Sequence, residues 1–198
     1  RINRFLSEHA GDYEIVVADN NSPQGRDAIA AVVAGRARLV IATERGAGPA
    51  RNAGVAASEG AILAFTDSDC IPEADWLAEG VKALDTHDFG GGRMVVTLEG
   101  EGPKSGAEAF EQVFAFDNEA YVRRKGFTVT ANLFSPRALF DKVGGFRVGM
   151  SEDLEWCLRA RDAGYRIGYA PGAVVGHPAR RDWPALIGKW RRINAETY

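Results

Sequence analysis

The stretch "AILAFTDSDCIP", residues 61–72, decides how this chain is read. A short apolar run, Ala61 to Phe65, passes directly into two aspartates separated by one serine. An apolar run of this length, closed by turn-forming residues, has the pattern of a strand covered on both faces. The D-x-D triplet alone proves little. With 13 aspartates among 198 residues, about one such triplet arises by chance. Its surroundings must carry the reading.

Upstream, the same pattern repeats. "YEIVVA" (13–18) is an apolar run that ends in the turn-rich cluster "DNNSP", and the helical stretch "GRDAIAAVVAG" follows it. Next come "RLVIAT" (38–43) and the glycine-rich "ERGAGPARNAGVAASEG". Buried strands spaced by helix-length segments predict βαβ units and a largely parallel sheet. Ligands of such sheets bind beyond the carboxyl ends of the strands, where Asp19 and Asp67 each terminate an apolar run.

The second half is less regular. "DWLAEGVKAL" (75–84) reads as a helix, "GGRMVVT" as a strand, and "SGAEAFEQVFAFDNEAYVRR" as one long amphipathic helix. "FTVTANLFS" (127–135) alternates like a strand. "PRALFDKVGG" reads as a short helix with Pro136 at its start and glycine at its end. In "SEDLEWCLRARDAGYRI", Ser151 is the expected N-cap, Leu154, Cys157 and Leu158 the apolar stripe, and Gly164 the stop. "RIGYAPGAVVGHP" (166–178) has strand character. No repeat or low-complexity segment interrupts the chain.

The bulk properties set outer limits. The length suits one domain with a real core. Net charge is −3, so no global basic field points to nucleic acid. Positive charge is local: Arg123 to Lys125, and the segment 179–198, where Arg180, Arg181, Lys189, Arg191 and Arg192 face only Asp182 and Glu196. A solvated face is the first explanation, an anionic substrate or membrane surface the second. Cys70 and Cys157 have neither metal spacing nor a disulfide framework, so a reducing, cytoplasmic compartment is expected. No apolar run approaches the ~20 residues that span a bilayer. The opening "RINRFLSEHAG", with Ile2, Phe5, Leu6 and His9 at helical spacing, reads like the middle of a helix whose upstream residues have been removed.

Four carboxylate sites offer chemistry: Asp19, the Asp67/Asp69 pair, Glu152/Asp153 and, more weakly, Asp75. Mg²⁺ and Mn²⁺ favour oxygen ligands and share them between a carboxylate or two and substrate phosphates. A short acidic turn on a buried strand provides such ligands, and so would a plain solvated strand end. Glu152 and Asp153 open a helix, where negative charge caps the free N–H groups. The same position keeps a general base ionised, at the expense of its basicity. "GAGPARNAG" (46–54) offers glycines for close backbone approach and Arg51 as a forked donor, but it is neither a Walker loop nor G-x-G-x-x-G. It reads first as a turn before a helix. His177, closing the last strand-like run, reads first as a core histidine.

In order and spacing these pieces resemble glycosyltransferase family 2, the inverting nucleotide-sugar transferases of the GT-A fold. The resemblance rests on "VVADNNS", "GPARNAGVAASEGAILAFTDSDCIPEADWL", "TANLFSPRALFDKVGGF", "SEDLEWCLRARDAGYRIGYAP" and "VVGHP", from about residue 13 to 178. It implies an α/β, GT-A-like nucleotide-binding fold with a mixed, mostly parallel central sheet flanked by helices. The domain would span 1–178, with 179–198 as a basic amphipathic helix packed on it or extending from it. It further implies that Asp19 recognises the nucleotide base and that Asn21, Arg51 and Asn132 join it in holding the donor. Asp67 and Asp69 would be the metal motif, with Asp69 the direct ligand and Asp67 nearer the ribose. Asp153 would be the catalytic base with Glu152 beside it, and His177 would reach the metal or the diphosphate.

The implied cofactor is Mn²⁺ or Mg²⁺. The implied partners are a nucleotide-diphosphate sugar, foremost a UDP-sugar, and a glycan or lipid-linked acceptor, with no nucleic acid. Two features depart from the family pattern. Its first strand has no counterpart ahead of Arg1, and the Q-x-x-R-W motif of processive synthases is absent, since "GKWRR" (188–192) has the wrong order. A single-addition transferase is therefore expected. A sugar nucleotidyltransferase and a catalytically silent nucleotide- or carbohydrate-binding domain are the alternatives. In the tail, Trp183, Leu186, Ile187 and Trp190 share one helical face: core docking is expected first, peripheral membrane contact second.

Overall fold

The computed structural model describes residues 12–98, 100 and 102–197. Its strands are β1 (Val16–Asp19), β2 (Arg38–Ile41), β3 (Ile62–Phe65), β4 (Ile71–Pro72), β5 (Phe89–Thr97), β6 (Leu133–Pro136) and β7 (Ile167–Pro178). The helices are α1 (Arg26–Val33), α2 (Ala47–Ala56), α3 (Trp76–Ala83), α4 (Gly106–Phe114), α5 (Arg137–Val143), α6 (Glu152–Asp162) and α7 (Trp183–Thr197). The helical opening expected around Ile2 to His9 lies outside the described residues.

The βαβ pattern read from the first half holds for its first two strands, while β3 joins a different sheet. β1 and β2 pair in parallel, from Val16 opposite Arg38 to Asp19 opposite Ile41. The other five strands form a sheet in the order β3-β6-β5-β7-β4. Its longest ladder, β5 with β7, is parallel and carries a bulge between Gly92 and Arg93. β6 runs antiparallel to β3 and β5, and β4 runs antiparallel to β7. The sheet is mixed, as expected, but the expectation of mostly parallel pairing is corrected: β6 and β4 enter it antiparallel, and β5 with β7 is its one parallel ladder among the described residues. Among the described residues no strand joins β1 to β3.

Side chains alternate across this sheet, so neighbouring residues of β6 feed different cores. Leu133 packs with Leu63, Phe65, Phe89, Phe140, Phe146 and Trp156 against α5 and α6. Phe134 packs with Trp76, Met94, Ala173 and Val175 beneath α3. Trp156 is fully buried, sits edge-on to Phe89 at 5.5 Å, and donates its indole N–H to the Gly144 carbonyl at 2.9 Å. Burying a side chain of this size stabilises the fold by roughly 2–3 kcal/mol.

Three local expectations are corrected. The segment 105–124 is not one helix. α4 ends at Phe114, and a short turn (Asn118–Ala120) leads into a π-helical turn (Tyr121–Lys125). Asp117 caps the new start by accepting from Ala120 N–H at 3.0 Å, while Asn118 is drawn inward to donate to the Gly92 carbonyl at 2.7 Å. Side-chain hydrogen bonds of this kind compete with helix continuation. Similarly, only Leu133 onward of 127–135 joins the sheet. Thr130–Asn132 is a 3₁₀ turn, because Asn132 turns inward to bond three separate segments. Finally, the buried stripe of α6 is Trp156, Cys157 and Ala160, while Leu158 is exposed. The bulky indole sets the face. Both cysteines are free and buried.

Candidate active site

The DNNS turn after β1 is built by its own side chains. Asp19, buried at the strand end, accepts from the Ser22 hydroxyl and from the Ser22 backbone N–H at 3.3 Å. Asn21 takes a left-handed backbone (φ 58°), a conformation asparagine tolerates better than most residues. Asn20 donates to the carbonyls of Ala42 and Glu44 and accepts from Gly46 N–H at 2.8 Å. This ties the turn to the glycine-rich segment. That segment is not a loop before a helix; it is the first turns of α2. Pro49 falls in the opening turn, where an N–H has no intrahelical partner to lose.

Helix α2 thereby aims Arg51 at two carboxylates. Its Nη2 donates to Asp67 Oδ1 and its Nη1 to Glu152 Oε1, each at 2.6 Å. One guanidinium joins the D-x-D turn to the E-D helix start, 85 residues further along. Burial works against the Arg51 charge, but the two carboxylates more than offset it, so the guanidinium stays protonated.

The E-D pair divides its duties. Glu152 is committed to Arg51. Asp153 is half-buried, and its Oδ1 accepts from the Ser151 hydroxyl at 2.8 Å and from Leu154 N–H at 2.7 Å. Ser151 therefore serves Asp153 rather than capping α6, which has no side-chain cap. Burial raises the Asp153 pKa, the neighbouring Glu152 charge adds to the rise, and the two hydrogen bonds only partly oppose it. The expectation of a base weakened by the helix terminus is corrected. Desolvation outweighs the dipole here, and Asp153 is a stronger base than an ordinary aspartate.

Asp69 belongs to a different group. His177 Nε2 lies 3.6 Å from Asp69 Oδ2. His177 Nδ1 is 2.9 Å from the Pro178 carbonyl. A carbonyl can only accept, so Nδ1 carries the hydrogen. In the neutral imidazole Nε2 is then an acceptor, 3.6 Å from a carboxylate oxygen. A cation seated beside both would be ligated by each of them. An imidazole nitrogen oriented by a carbonyl behind it, with a carboxylate beside it, fits a divalent ion. The Cys70 sulfur belongs to the same group: donor atoms of Asp69, Cys70 and His177 all lie within 4.8 Å of one another. Sequence spacing hid this grouping, although Cys70 directly follows the D-x-D. Burial and the Asp67 and Asp69 charges push its thiol up to about 12.

The remaining expected residues separate. Asp67 is engaged by Arg51 and is not among the three grouped donors. Asn132 is fully buried. Its carbonyl accepts from Trp76 Nε1 at 2.9 Å, and its N–H groups donate to the Arg93 and Ala173 carbonyls. Its donors and its carbonyl all have partners within the protein, so it staples β5, β7 and α3. Asp75 stands at the N-terminal boundary of α3 without a side-chain capping bond.

Sequence reasoning also missed Glu111. This buried α4 carboxylate accepts from Lys189 Nζ at 2.7 Å, from Arg180 N–H at 2.6 Å and from Arg180 Nη1 at 3.2 Å. Lys189 lies 5.0 Å over the Phe116 ring, and that ring packs 5.0 Å from His177. The C-terminal helix is thereby docked behind the histidine.

A family model for glycosyl transferase family 2 matches residues 1–156. The chain belongs to glycosyl transferase family 2. Glycosyltransferase AglE of Haloferax volcanii is 33% identical over 176 residues, which is 85% of this chain and 57% of that protein. The pre-mycofactocin glycosyltransferase of Mycobacterium tuberculosis is 34% identical over 71% of this chain and 32% of its own length. This family 2 chain thus spans less than two thirds of the curated relatives it matches. Among solved structures, mannosyltransferase PcManGT of Pyrobaculum calidifontis, in complex with GDP-Man and Mn²⁺, superposes with a TM-score of 0.62 at 22% identity, covering 97% of this chain and 55% of that one. Staphylococcus aureus TarS in complex with UDP-GlcNAc gives 0.61 at 20% identity over 92% and 56%. The fold is the GT-A fold.

Proposed function

We propose that this chain is the catalytic domain of a metal-dependent, inverting glycosyltransferase that moves one sugar from a nucleotide-diphosphate donor to an acceptor hydroxyl. The observation that carries the reading is the Arg51 bridge. It joins the D-x-D turn, where a leaving diphosphate would be held, to the E-D helix start, where a base would act. A silent binding domain has no chemical need for that convergence. Relatives and neighbours agree in kind: PcManGT was solved with GDP-Man and Mn²⁺, and TarS with UDP-GlcNAc.

Asp69 and His177 would hold the ion, with Asp67 on the donor side of it. When bound there, a divalent cation supplies neutralising charge to the departing diphosphate. The protein's own residues supply the rest. Asp19 and Asn21, in the turn after β1, lie at the strand end where the nucleoside would sit. Arg51 keeps Asp67 and Glu152 in place and adds positive charge beside the diphosphate. Asp153 takes the acceptor proton as the acceptor oxygen bonds to the anomeric carbon and the bond from that carbon to the phosphate oxygen breaks. Attack in line with the leaving group inverts the anomeric centre. The raised pKa of Asp153 suits this role, and the Ser151 hydroxyl fixes which oxygen is free to accept.

A UDP-sugar is the donor we favour, and a lipid-linked glycan the acceptor. The exposed apolar face of α7 supports the second choice. Trp183, Ile187 and Trp190 stay solvent-facing while Leu186 is buried, and Arg191 and Arg192 lie close by in the helix. Indole and basic groups together suit the interface of an anionic bilayer. No helix among the described residues is long and apolar enough to cross a membrane.

A thermal-shift panel of nucleotide sugars with Mn²⁺ or Mg²⁺ tests the reading, because a donor that binds only the folded chain raises the melting temperature, and more so the further its concentration exceeds Kd. Stabilisation by one nucleotide family, enhanced by the metal, is expected. No shift with any nucleotide sugar would contradict it.

A further inference from the structure

Cys70 lies beside the two residues that would hold the ion. The β4–β7 ladder sets this placement: Ile71 pairs with Gly176 in antiparallel register, so the next step of the ladder puts Cys70 across from His177. The turn that precedes it closes with Cys70 N–H donating to the Asp67 carbonyl at 3.0 Å, which sets Asp69 beside the same spot. His177 is buried, and its Nδ1 is held by the Pro178 carbonyl, so Nε2 is the nitrogen presented to the group.

We propose that Asp69, Cys70 and His177 form a mixed oxygen–sulfur–nitrogen site that takes a thiophilic divalent cation of the zinc or cobalt type, with Cys70 as a direct ligand. The proposal rests on the reading of Asp69 and His177 as the metal end of the donor site and adds a ligand and an ion preference to it. Hard Mn²⁺ and Mg²⁺ gain little from sulfur, and from this chain they would draw one carboxylate and one imidazole. They need diphosphate oxygens to fill their coordination. Zn²⁺ and Co²⁺ bind sulfur, nitrogen and oxygen together, and three protein ligands with one open position make a complete zinc site of the catalytic type. The thiol proton leaves to the buffer as the metal–sulfur bond forms. It follows that Zn²⁺ and Co²⁺ occupy the nucleotide-free protein, whereas Mn²⁺ waits for the nucleotide. Micromolar zinc then competes with manganese for Asp69 and His177.

Cobalt reports the ligand directly. Co²⁺ is titrated into the nucleotide-free chain while its absorption spectrum is followed, and Mn²⁺ with UDP is titrated separately by calorimetry. A sulfur-to-cobalt charge-transfer band in the near ultraviolet is expected for the wild type and for Cys157→Ala. In Cys70→Ser the band should vanish and Co²⁺ affinity should fall at least about tenfold. Melting curves confirm that each variant is folded, and the wild-type spectrum alone decides the matter if a variant is not. Visible cobalt bands without charge transfer, or a band that persists in Cys70→Ser, overturn Cys70 as a ligand while leaving the manganese reading intact. Absence of any divalent binding, with or without UDP, overturns both.

Discussion

Arg51 and Glu152, 101 positions apart in sequence, meet at 2.6 Å, and the second arm of the same guanidinium holds Asp67. A lysine has one point charge and no fork, so it cannot serve both carboxylates at this geometry. Arg51→Lys should therefore raise KM for the donor more than it lowers kcat. Arg51→Ala leaves the largely buried Glu152 without its partner and should cost about 2–3 kcal/mol of stability. Chemical denaturation with steady-state kinetics checks both. Unchanged donor KM in Arg51→Lys would remove the bridge from the donor site.

The Asp153–Ser151 contact sets a pH prediction. Asp153 acts as a base only when ionised, and burial has raised its pKa above the ordinary aspartate value of 3.8. The acid limb of kcat/KM should accordingly lie above the usual aspartate range. Ser151→Ala removes a hydrogen bond that favours the charged form, so the limb should move further up. Asp153→Asn should reduce transfer at least about 10²-fold while donor binding holds. A limb unmoved by Ser151→Ala would detach the two residues.

Glu111 governs the docking of α7. Burial would raise its pKa, but the Lys189 and Arg180 hydrogen bonds and charges outweigh burial and hold it below the ordinary glutamate value. A carboxylate with a depressed folded value adds stability above its unfolded pKa and loses it as pH falls through the folded one. Melting temperature should thus decline below about pH 4.5, and the decline should be blunted in Glu111→Gln. Glu111→Ala, which leaves Lys189 buried and unpaired, should cost about 3 kcal/mol. Thermal melts across pH read each outcome.

Gly80 opposes two familiar effects. Alanine in a helix is normally about 1 kcal/mol better than glycine. Here a Cβ would lie 2.0 Å from Phe134 Cζ, and that ring is itself clamped 5.1 Å from Trp76 in the core. Overpacking costs about 1–3 kcal/mol, so it should win. Gly80→Ala is expected to destabilise, with partial recovery when Phe134→Leu is added.

Much of this was legible in the residues. The apolar runs ending at Asp19 and Asp67 placed both carboxylates at strand ends, and the order of motifs identified the family. What escaped depended on the third dimension. Asn118 and Asn132 turned inward and broke up two elements that periodicity had read as continuous. Cys70 joined Asp69 and His177 only through the β4–β7 register, which no local spacing encodes. The same limit hid Glu111, whose partners lie 69 and 78 residues away. Asp153 was misjudged in basicity because sequence shows a helix start but not the burial around it.

The central claim is that Asp69 anchors an ion through which this chain holds a nucleoside diphosphate. Calorimetric titration of UDP, with and without Mn²⁺, into the wild type and Asp69→Ala tests it most directly. The account predicts that Mn²⁺ tightens UDP binding at least about tenfold in the wild type and not in the variant. UDP binding that is indifferent to Mn²⁺ and equal in both proteins would contradict it.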